Sequence, residues 1–132
     1  MSKAKGGRTR RKIEDYYRAL GYEVACVEKG GSRYIKNRDL FSDKSYSDSG
    51  FDSIAVANNC VTLIQCKSNR PATQAFYKEF AKKYAGEALQ VIVATLIDRK
   101  GCRFQNYTNT GKIEEEFVSI TKINSTIKEY KA

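Results

Sequence analysis

The strongest constraint on the fold is a pair of apolar, strand-like runs separated by two asparagines. The runs cover residues 51–57 and 60–67, with Asn58 and Asn59 between them. Asparagine tolerates the positive φ that a two-residue hairpin turn requires, so this pattern predicts an antiparallel β-hairpin. The hairpin fixes which side chains meet across the two strands, and it is therefore the best starting point for locating a site.

Three polar side chains gather at the open end of this predicted hairpin. With a two-residue turn, Asp52 lies directly across from Gln65, and Lys67 shares their face because it is two residues further along the same strand. Burying a carboxylate, an amide and an ammonium group costs several kcal/mol unless they are paired or bind an ion. The alternative is a surface ion pair between Asp52 and Lys67 beside a solvated Gln65, worth under about 1 kcal/mol.

The spacing of apolar residues predicts the other elements, and it fits one α/β domain of 132 residues. We expect a central mixed β-sheet of about five strands flanked by helices. Residues 112–121 fit either a helix or a strand. The remaining predictions are a helix over 9–20, a strand over 22–27, a loop over 28–50, a helix from Pro71 capped by Ser68 or Asn69, a buried strand over 89–97, an edge strand over 102–107 and a short helix over 123–131.

The charge is concentrated at the N-terminus. The chain carries a net charge of +9, and six basic residues and no acidic ones lie in residues 1–12. We predict a basic N-terminal arm over 1–12 ahead of a domain over 13–132, and such an arm typically meets nucleic acid; the alternative is a solvated terminus. The predicted phosphate contacts are Arg8, Arg10, Arg11, Lys12, Lys29, Arg33, Lys36 and Arg70.

The absence of histidine excludes Ser-His-Asp triads, Cys-His dyads and histidine-ligated metal sites. The four cysteines, Cys26, Cys60, Cys66 and Cys102, are widely spaced in apolar stretches. We therefore expect them to be reduced core residues of an intracellular, cytoplasmic protein. No apolar run approaches the roughly 20 residues of a membrane-spanning helix, so no membrane partner is expected.

The hairpin residues resemble a known motif. Residues 50–56, a short turn and residues 61–67 are similar to the core of the PD-(D/E)xK nuclease superfamily, which implies a restriction-endonuclease-like fold. The order of helix, strand, loop and hairpin resembles the archaeal-type Holliday-junction resolvases. The tripeptide Gln65-Cys66-Lys67 is similar to Mrr-like restriction endonucleases, in which glutamine often replaces the acidic residue. Phe51 stands where the motif usually has proline.

The resemblance implies a metal site for Mg²⁺, which Mn²⁺ would also fill. Asp52 would be the central carboxylate ligand, Gln65 would offer its side-chain oxygen, and Cys66 its backbone carbonyl. Glu14 matches the helical glutamate that completes such a site; the alternative for Glu14 is an ion pair with Arg18 one turn away. Because Gln65 is neutral, the site would carry one negative charge fewer than the usual motif.

The remaining implied catalytic residues are Lys67 and Ser32. Lys67 would orient or activate the attacking water or stabilise charge on the scissile phosphate. Ser32 matches a serine that the resolvases carry in the loop after the first strand.

The activity that the resemblance implies is Mg²⁺-dependent, structure-selective cleavage of DNA. The leading expectation is a Holliday-junction-resolving enzyme acting on branched DNA as a homodimer, since two symmetric cuts call for a two-fold axis. The alternatives are an Mrr-like restriction or repair endonuclease on duplex or flap DNA, and a non-catalytic nucleic-acid-binding protein with a decayed nuclease site.

Overall fold

A computed structural model describes residues 3–26 and 51–132 of the chain. The predicted loop over 28–50 lies outside the described residues. The elements in chain order are α1 (Lys3–Ala19), β1 (Glu23–Cys26), β2 (Ser53–Ala57), β3 (Cys60–Ser68), α2 (Gln74–Tyr84), β4 (Leu89–Ile97), β5 (Gly101–Tyr107), β6 (Ile113–Ser119) and α3 (Ile120–Lys131).

The strands form one mixed sheet in the order β1-β2-β3-β4-β5-β6. Strands β3 and β4 are parallel and are connected through α2, whereas every other neighbouring pair is antiparallel. The chain is therefore a single α/β domain with three helices in its described part, as the element order predicted. The expected number of about five strands was too low, because the sheet has six.

The extra strand is β6, in the stretch that fitted either helix or strand. Its residues are mostly exposed, and Val118 is its one buried side chain. Such a strand lacks the apolar alternation that identifies a half-buried strand in a sequence. Because β6 pairs with β5, the prediction that 102–107 is an edge strand was wrong, and β6 holds the edge instead.

The hairpin prediction is confirmed. Asn58 and Asn59 have φ of 53° and 61°, and the register pairs Ala57 with Cys60 and Ser53 with Ile64. Asparagine is among the few residues that adopt this left-handed conformation readily, which explains the tight turn. Strand β3 is longer than β2, so its last four residues extend beyond the hairpin pairing.

Helix α2 begins at Gln74, three residues later than predicted from Pro71. The expected capping residues Ser68 and Asn69 are used elsewhere. The Ser68 hydroxyl hydrogen-bonds the Thr9 hydroxyl at 2.6 Å, and the Asn69 side chain accepts a hydrogen bond from the Asp98 backbone amide at 2.9 Å. Neither side chain is therefore engaged at the start of the helix.

Helix α1 begins at Lys3, six residues before the predicted start at Thr9. No proline interrupts the preceding stretch, and its lysine, alanine and arginine residues favour the helix, although Gly6 and Gly7 each disfavour it by about 1 kcal/mol. The predicted basic arm is therefore helical from Lys3 onward. Thr9 is buried, and its contact with Ser68 ties this turn of the helix to the end of β3.

The sheet has a hydrophobic core on each face. Phe51, Leu63 and Phe80 belong to the core under α2, and Ile13 and Ile64 belong to the core under α1 and α3. Strand β4 is central and buried, as its continuous apolar run predicted. No helix in residues 3–26 and 51–132 is both long and apolar enough to cross a membrane.

Candidate functional site at the open end of the hairpin

Asp52 directly precedes β2 and lies beside the end of β3 that extends past β2. Its backbone amide donates to the Ile64 carbonyl at 2.8 Å, and its carboxylate Oδ2 accepts a hydrogen bond from the Cys66 amide at 2.9 Å. The carboxylate therefore replaces the carbonyl that a longer β2 would have offered to β3. This hydrogen bond also fixes the orientation of the carboxylate against the backbone between Gln65 and Lys67.

Gln65 and Lys67 lie on the α2 face of β3. Their register partners on β4 are Val93 and Thr95, and Val93 belongs to the core beneath α2. Both side chains are half-buried. Within the described residues Lys67 forms no ion pair, so the alternative interpretation of a surface pair with Asp52 is not seen there.

Tyr77 from α2 is close to this group. It is buried, and burial, followed by the charge of Asp52 and the hydroxyl of Tyr107, raises the pKa of Tyr77 to about 12. The ring of Tyr77 lies 5.6 Å from that of Phe51, the residue directly before Asp52. A neutral phenol can donate a hydrogen bond to a negatively charged group.

Glu14 is held on the other face of the sheet by partners of its own. It is only 4% exposed, and its Oε2 accepts a hydrogen bond from the Ser53 hydroxyl at 2.6 Å. The same oxygen lies 3.7 Å from Nε of Arg10, one turn earlier on α1. The alternative pairing of Glu14 with Arg18 is wrong, because Arg18 pairs with Asp15 at 3.1 Å.

Cys66 connects the two acidic side chains. Burial first, and then the negative charges of Asp52 and Glu14, raise the pKa of the Cys66 thiol well above its usual value, while hydrogen bonding with Ser53 acts in the opposite direction. The thiol is therefore protonated at neutral pH, and the charges of both carboxylates act on it. All four cysteines are free, as predicted, but only Cys102 is a fully buried core residue, whereas Cys26, Cys60 and Cys66 are partly buried.

A metal ion at this place would depend on oxygen ligands of three kinds. No three His, Cys, Asp or Glu side chains in residues 3–26 and 51–132 form a group that could hold a metal ion. The donors that fit are the Asp52 carboxylate, the Gln65 amide oxygen and the Cys66 carbonyl. The N–H and C=O of one residue point to the same side of a strand, so the Cys66 carbonyl faces Asp52 as the Cys66 amide does. These are ligands that Mg²⁺ takes.

The structure separates the predicted phosphate-binding residues by exposure. Arg8, Arg11 and Arg70 are exposed. Arg10 is half-buried beside Glu14, and the Lys12 ammonium donates to the Asn124 side chain at 2.9 Å. Four predicted residues lie outside the described part of the chain: Lys29, Ser32, Arg33 and Lys36.

Three residues near the site were not predicted from the sequence. Thr95 and Arg103 lie in the same cross-strand row as Lys67, on β4 and β5, and Thr95 is buried with its hydroxyl unpaired within the described residues. The turn between β4 and β5 could have predicted the pairing of Thr95 with Arg103. Nothing in the sequence sets the register between the parallel strands β3 and β4, or brings Tyr77 to Asp52.

Searches for related proteins do not assign this chain to a family, since no family model matches the sequence and none of the curated proteins matches it.

Proposed function

We propose that this chain is a magnesium-dependent DNA endonuclease of the PD-(D/E)xK type, with a restriction-endonuclease-like fold. The observation that carries the proposal is the Asp52 carboxylate, fixed by the Cys66 amide at 2.9 Å beside the half-buried Gln65 and Lys67. A structural hydrogen bond to a strand end needs neither an adjacent amide nor an ammonium group. Their presence on one face favours a site for a metal ion and a phosphate.

Each residue has a distinct part in this proposal. Asp52, Gln65 and the Cys66 carbonyl would hold the ion, which when bound polarises a phosphate and lowers the pKa of a coordinated water. Lys67 would place its ammonium group against the scissile phosphate. Tyr77, whose pKa is raised to about 12, stays protonated at neutral pH and can donate a hydrogen bond to a substrate oxygen.

The proposed part of Glu14 is to connect two elements of the fold. Its hydrogen bond to Ser53 and its contact with Arg10 join α1 to the first residue of β2, directly after Asp52. In this arrangement Glu14 positions the strand end that carries Asp52. Both contacts are made by Oε2, so direct or water-mediated coordination of the ion by Glu14, as the resemblance implies, would fall to Oε1.

The substrate that we propose is branched DNA, with Holliday-junction resolution by a homodimer as the leading activity. The exposed arginines Arg8 and Arg11 on α1 and Arg70 after β3 supply contacts to phosphates without reading sequence. A substrate recognised by its shape and charge fits such contacts better than a substrate recognised by its base sequence.

Cleavage of a panel of DNAs tests this proposal. A four-way junction, a flap and a linear duplex of the same arm sequence are incubated with the purified chain in Mg²⁺ or in EDTA. We expect cleavage only in Mg²⁺, with the junction cut fastest. Faster cleavage of the flap or the duplex would favour an Mrr-like restriction or repair endonuclease over a junction-resolving enzyme. Cleavage in EDTA would contradict a metal-dependent mechanism.

The second candidate function is nucleic-acid binding without catalysis. It is favoured by the partners of Glu14 and by the absence of any three-residue group of acidic or cysteine ligands in the described part of the chain. With the neutral Gln65 in place of an acidic residue, Asp52 would supply the one negative charge among the ligands.

Gln65→Glu separates the two candidates because it restores the charge of the usual motif. Tighter Mn²⁺ binding, measured by calorimetry, with cleavage retained or gained would support a working nuclease site. If both proteins bind DNA but neither cuts any substrate in Mg²⁺ or Mn²⁺, the binding function is the correct one.

A further inference from the structure

A cavity lies on the opposite face of the sheet from Gln65 and Lys67. Its volume is about 360 Å³, and it is open to solvent between the last turns of α1 and strands β4 to β6. Tyr16, Tyr17 and Phe104 supply its aromatic wall, while Glu114 and Glu116 line its rim. This cavity shares no residue with the site at the end of the hairpin.

The sheet register explains why the acidic side chains stand over the aromatic wall. Phe104 pairs directly with Glu116, and Asn106 pairs with Glu114. Directly opposed residues share one face of the sheet, so both carboxylates lie on the cavity side. They are two residues apart on β6, which sets their Cα atoms about 7 Å from each other.

Neither of these carboxylates is paired with a basic side chain in the described part of the chain. Glu114 and Glu116 are exposed, and within the described residues neither takes part in an ion pair. The intervening Glu115 belongs to the other face, where it lies 3.5 Å from Arg103. In a protein with a net charge of +9, the two acidic groups that remain unpaired on this strand are those at the cavity.

The aromatic wall is packed and pre-formed. The Tyr16 and Phe104 rings are stacked with centroids 5.7 Å apart, and the Tyr17 ring meets Phe104 edge-on at 5.9 Å. Burial first, and then the charge of Glu116, raise the pKa of Tyr16, and both residues line the cavity. An aromatic wall beside two carboxylates attracts a cation through both the ring faces and the charges.

We propose that this cavity binds an alkyl guanidinium or alkyl ammonium group. The alkyl stem would pack on Tyr16 and Phe104, while the charged end would form charge-assisted hydrogen bonds with Glu114 and Glu116. A volume of about 360 Å³ suits one long basic side chain or one linear amine. The group has two sources, a free polyamine or the arginine or lysine side chain of a peptide.

The test is an NMR titration of the full chain without DNA, which follows the ring resonances of Tyr16 and Phe104. The probes are spermidine and the peptide acetyl-Gly-Arg-Gly-amide. We expect saturable shifts with at least one probe. The double variant Glu114→Gln with Glu116→Gln should weaken binding about 10-fold, and Phe104→Leu about 3-fold. The matched control Glu87→Gln, an exposed glutamate between α2 and β4, should leave the affinity unchanged.

The outcomes separate the two sources and decide the proposal. Tighter binding of spermidine identifies a free amine, and tighter binding of the peptide identifies a protein side chain. The proposal is overturned if neither probe saturates the resonances at about 10 mM. It is equally overturned if the double variant, with an unchanged unfolding midpoint, binds as the wild type does. Neither result depends on DNA cleavage, so the proposed nuclease activity is tested separately.

Discussion

Glu14 is a buried carboxylate whose partners come from two different elements. Ser53 donates to it from β2 at 2.6 Å, and Arg10 approaches it from the preceding turn of α1. A buried carboxylate that loses a donor keeps its desolvation penalty without compensation. The pair formed by Glu14 and Ser53 therefore fastens α1 to the strand end that carries Asp52.

Ser53→Ala should destabilise the protein by about 1 to 3 kcal/mol, because it removes the hydroxyl donor from the buried Glu14. The measurement is the free energy of unfolding in urea. Ser125→Ala on the exposed side of α3 is the matched control and should change stability by no more than about 0.5 kcal/mol. Equal effects of the two substitutions would show that the Glu14 hydrogen bond contributes little.

The raised pKa of the buried Cys102 thiol predicts how the free energy of unfolding depends on pH. Burial raises the pKa of Cys102 from 9.0 to about 12. Between these values the unfolded chain releases a proton that the folded chain keeps, so stability falls as the pH rises from about 9 to 12. In urea unfolding, Cys102→Ala should make this fall shallower by up to about 1.4 kcal/mol per pH unit. Cys26→Ala is the control, and an equal slope in all three proteins would contradict the assignment.

At the residue scale, the hairpin turn follows from the sequence, whereas the contacts that depend on packing do not. The two-residue turn is present, but its strand pairing ends at Ser53 opposite Ile64, so the predicted position of Asp52 directly across from Gln65 is not part of the paired register. The contact of Glu14 with Ser53 requires α1 to lie against β2, and no local pattern encodes that distance. The position of Tyr77 depends in the same way on how α2 packs.

At the scale of elements, the backbones of β5 and β6 approach each other closely at Gly101, the first residue of β5. Gly101 has φ of +154°, and a Cβ built there would lie 2.2 Å from the Val118 carbonyl oxygen and 2.8 Å from the ring of Phe117. The backbone of β6 therefore approaches β5 at a distance that only glycine allows. Pairing with β5 along its whole length holds β6 on the sheet although most of its side chains are exposed.

Gly101→Ala should therefore lower the free energy of unfolding by about 2 to 3 kcal/mol, since the added methyl group must displace backbone. Gly86→Ala is the matched control, because nothing lies within 4 Å of its Cβ position and its φ is not positive. Urea unfolding of both variants decides the matter. A loss at Gly101 no larger than that at Gly86 would contradict the close packing of β5 against β6.

Elements with a strong local signal were predicted with correct bounds, and those shaped by their neighbours were not. The buried strand β4 was expected over residues 89–97 and lies there. Strand β6 carries three consecutive glutamates, so its strand character comes from pairing with β5 rather than from an apolar alternation. Helix α2 starts at Gln74 rather than at Pro71 because the side chains of Ser68 and Asn69 do not cap it. They form hydrogen bonds with Thr9 and Asp98 instead.

At the scale of the whole molecule, the sheet separates two chemically different surfaces. The α2 face carries the row of Lys67, Thr95 and Arg103, and Arg103 lies 3.5 Å from Glu115. The α1 face carries the aromatic cavity, with Glu114 and Glu116 at the last turns of α1, whereas the exposed Arg8 and Arg11 lie in the first half of that helix. The basic and acidic groups of the α1 side are therefore separated along the helix, and a polyanion is attracted only to its N-terminal part.

The central claim is that the end of the hairpin is a metal-dependent nuclease site, and the most direct test is Mg²⁺-dependent cleavage of a labelled four-way junction. Asp52→Asn keeps an acceptor for the Cys66 amide but removes the charge, and Lys67→Ala removes the ammonium group. Both should lower the cleavage rate at least about 100-fold with junction binding largely retained. The controls Asp15→Asn and Lys128→Ala, which lie on α1 and α3 away from the site, should cut as the wild type does. Undiminished cleavage by either Asp52→Asn or Lys67→Ala would contradict the claim.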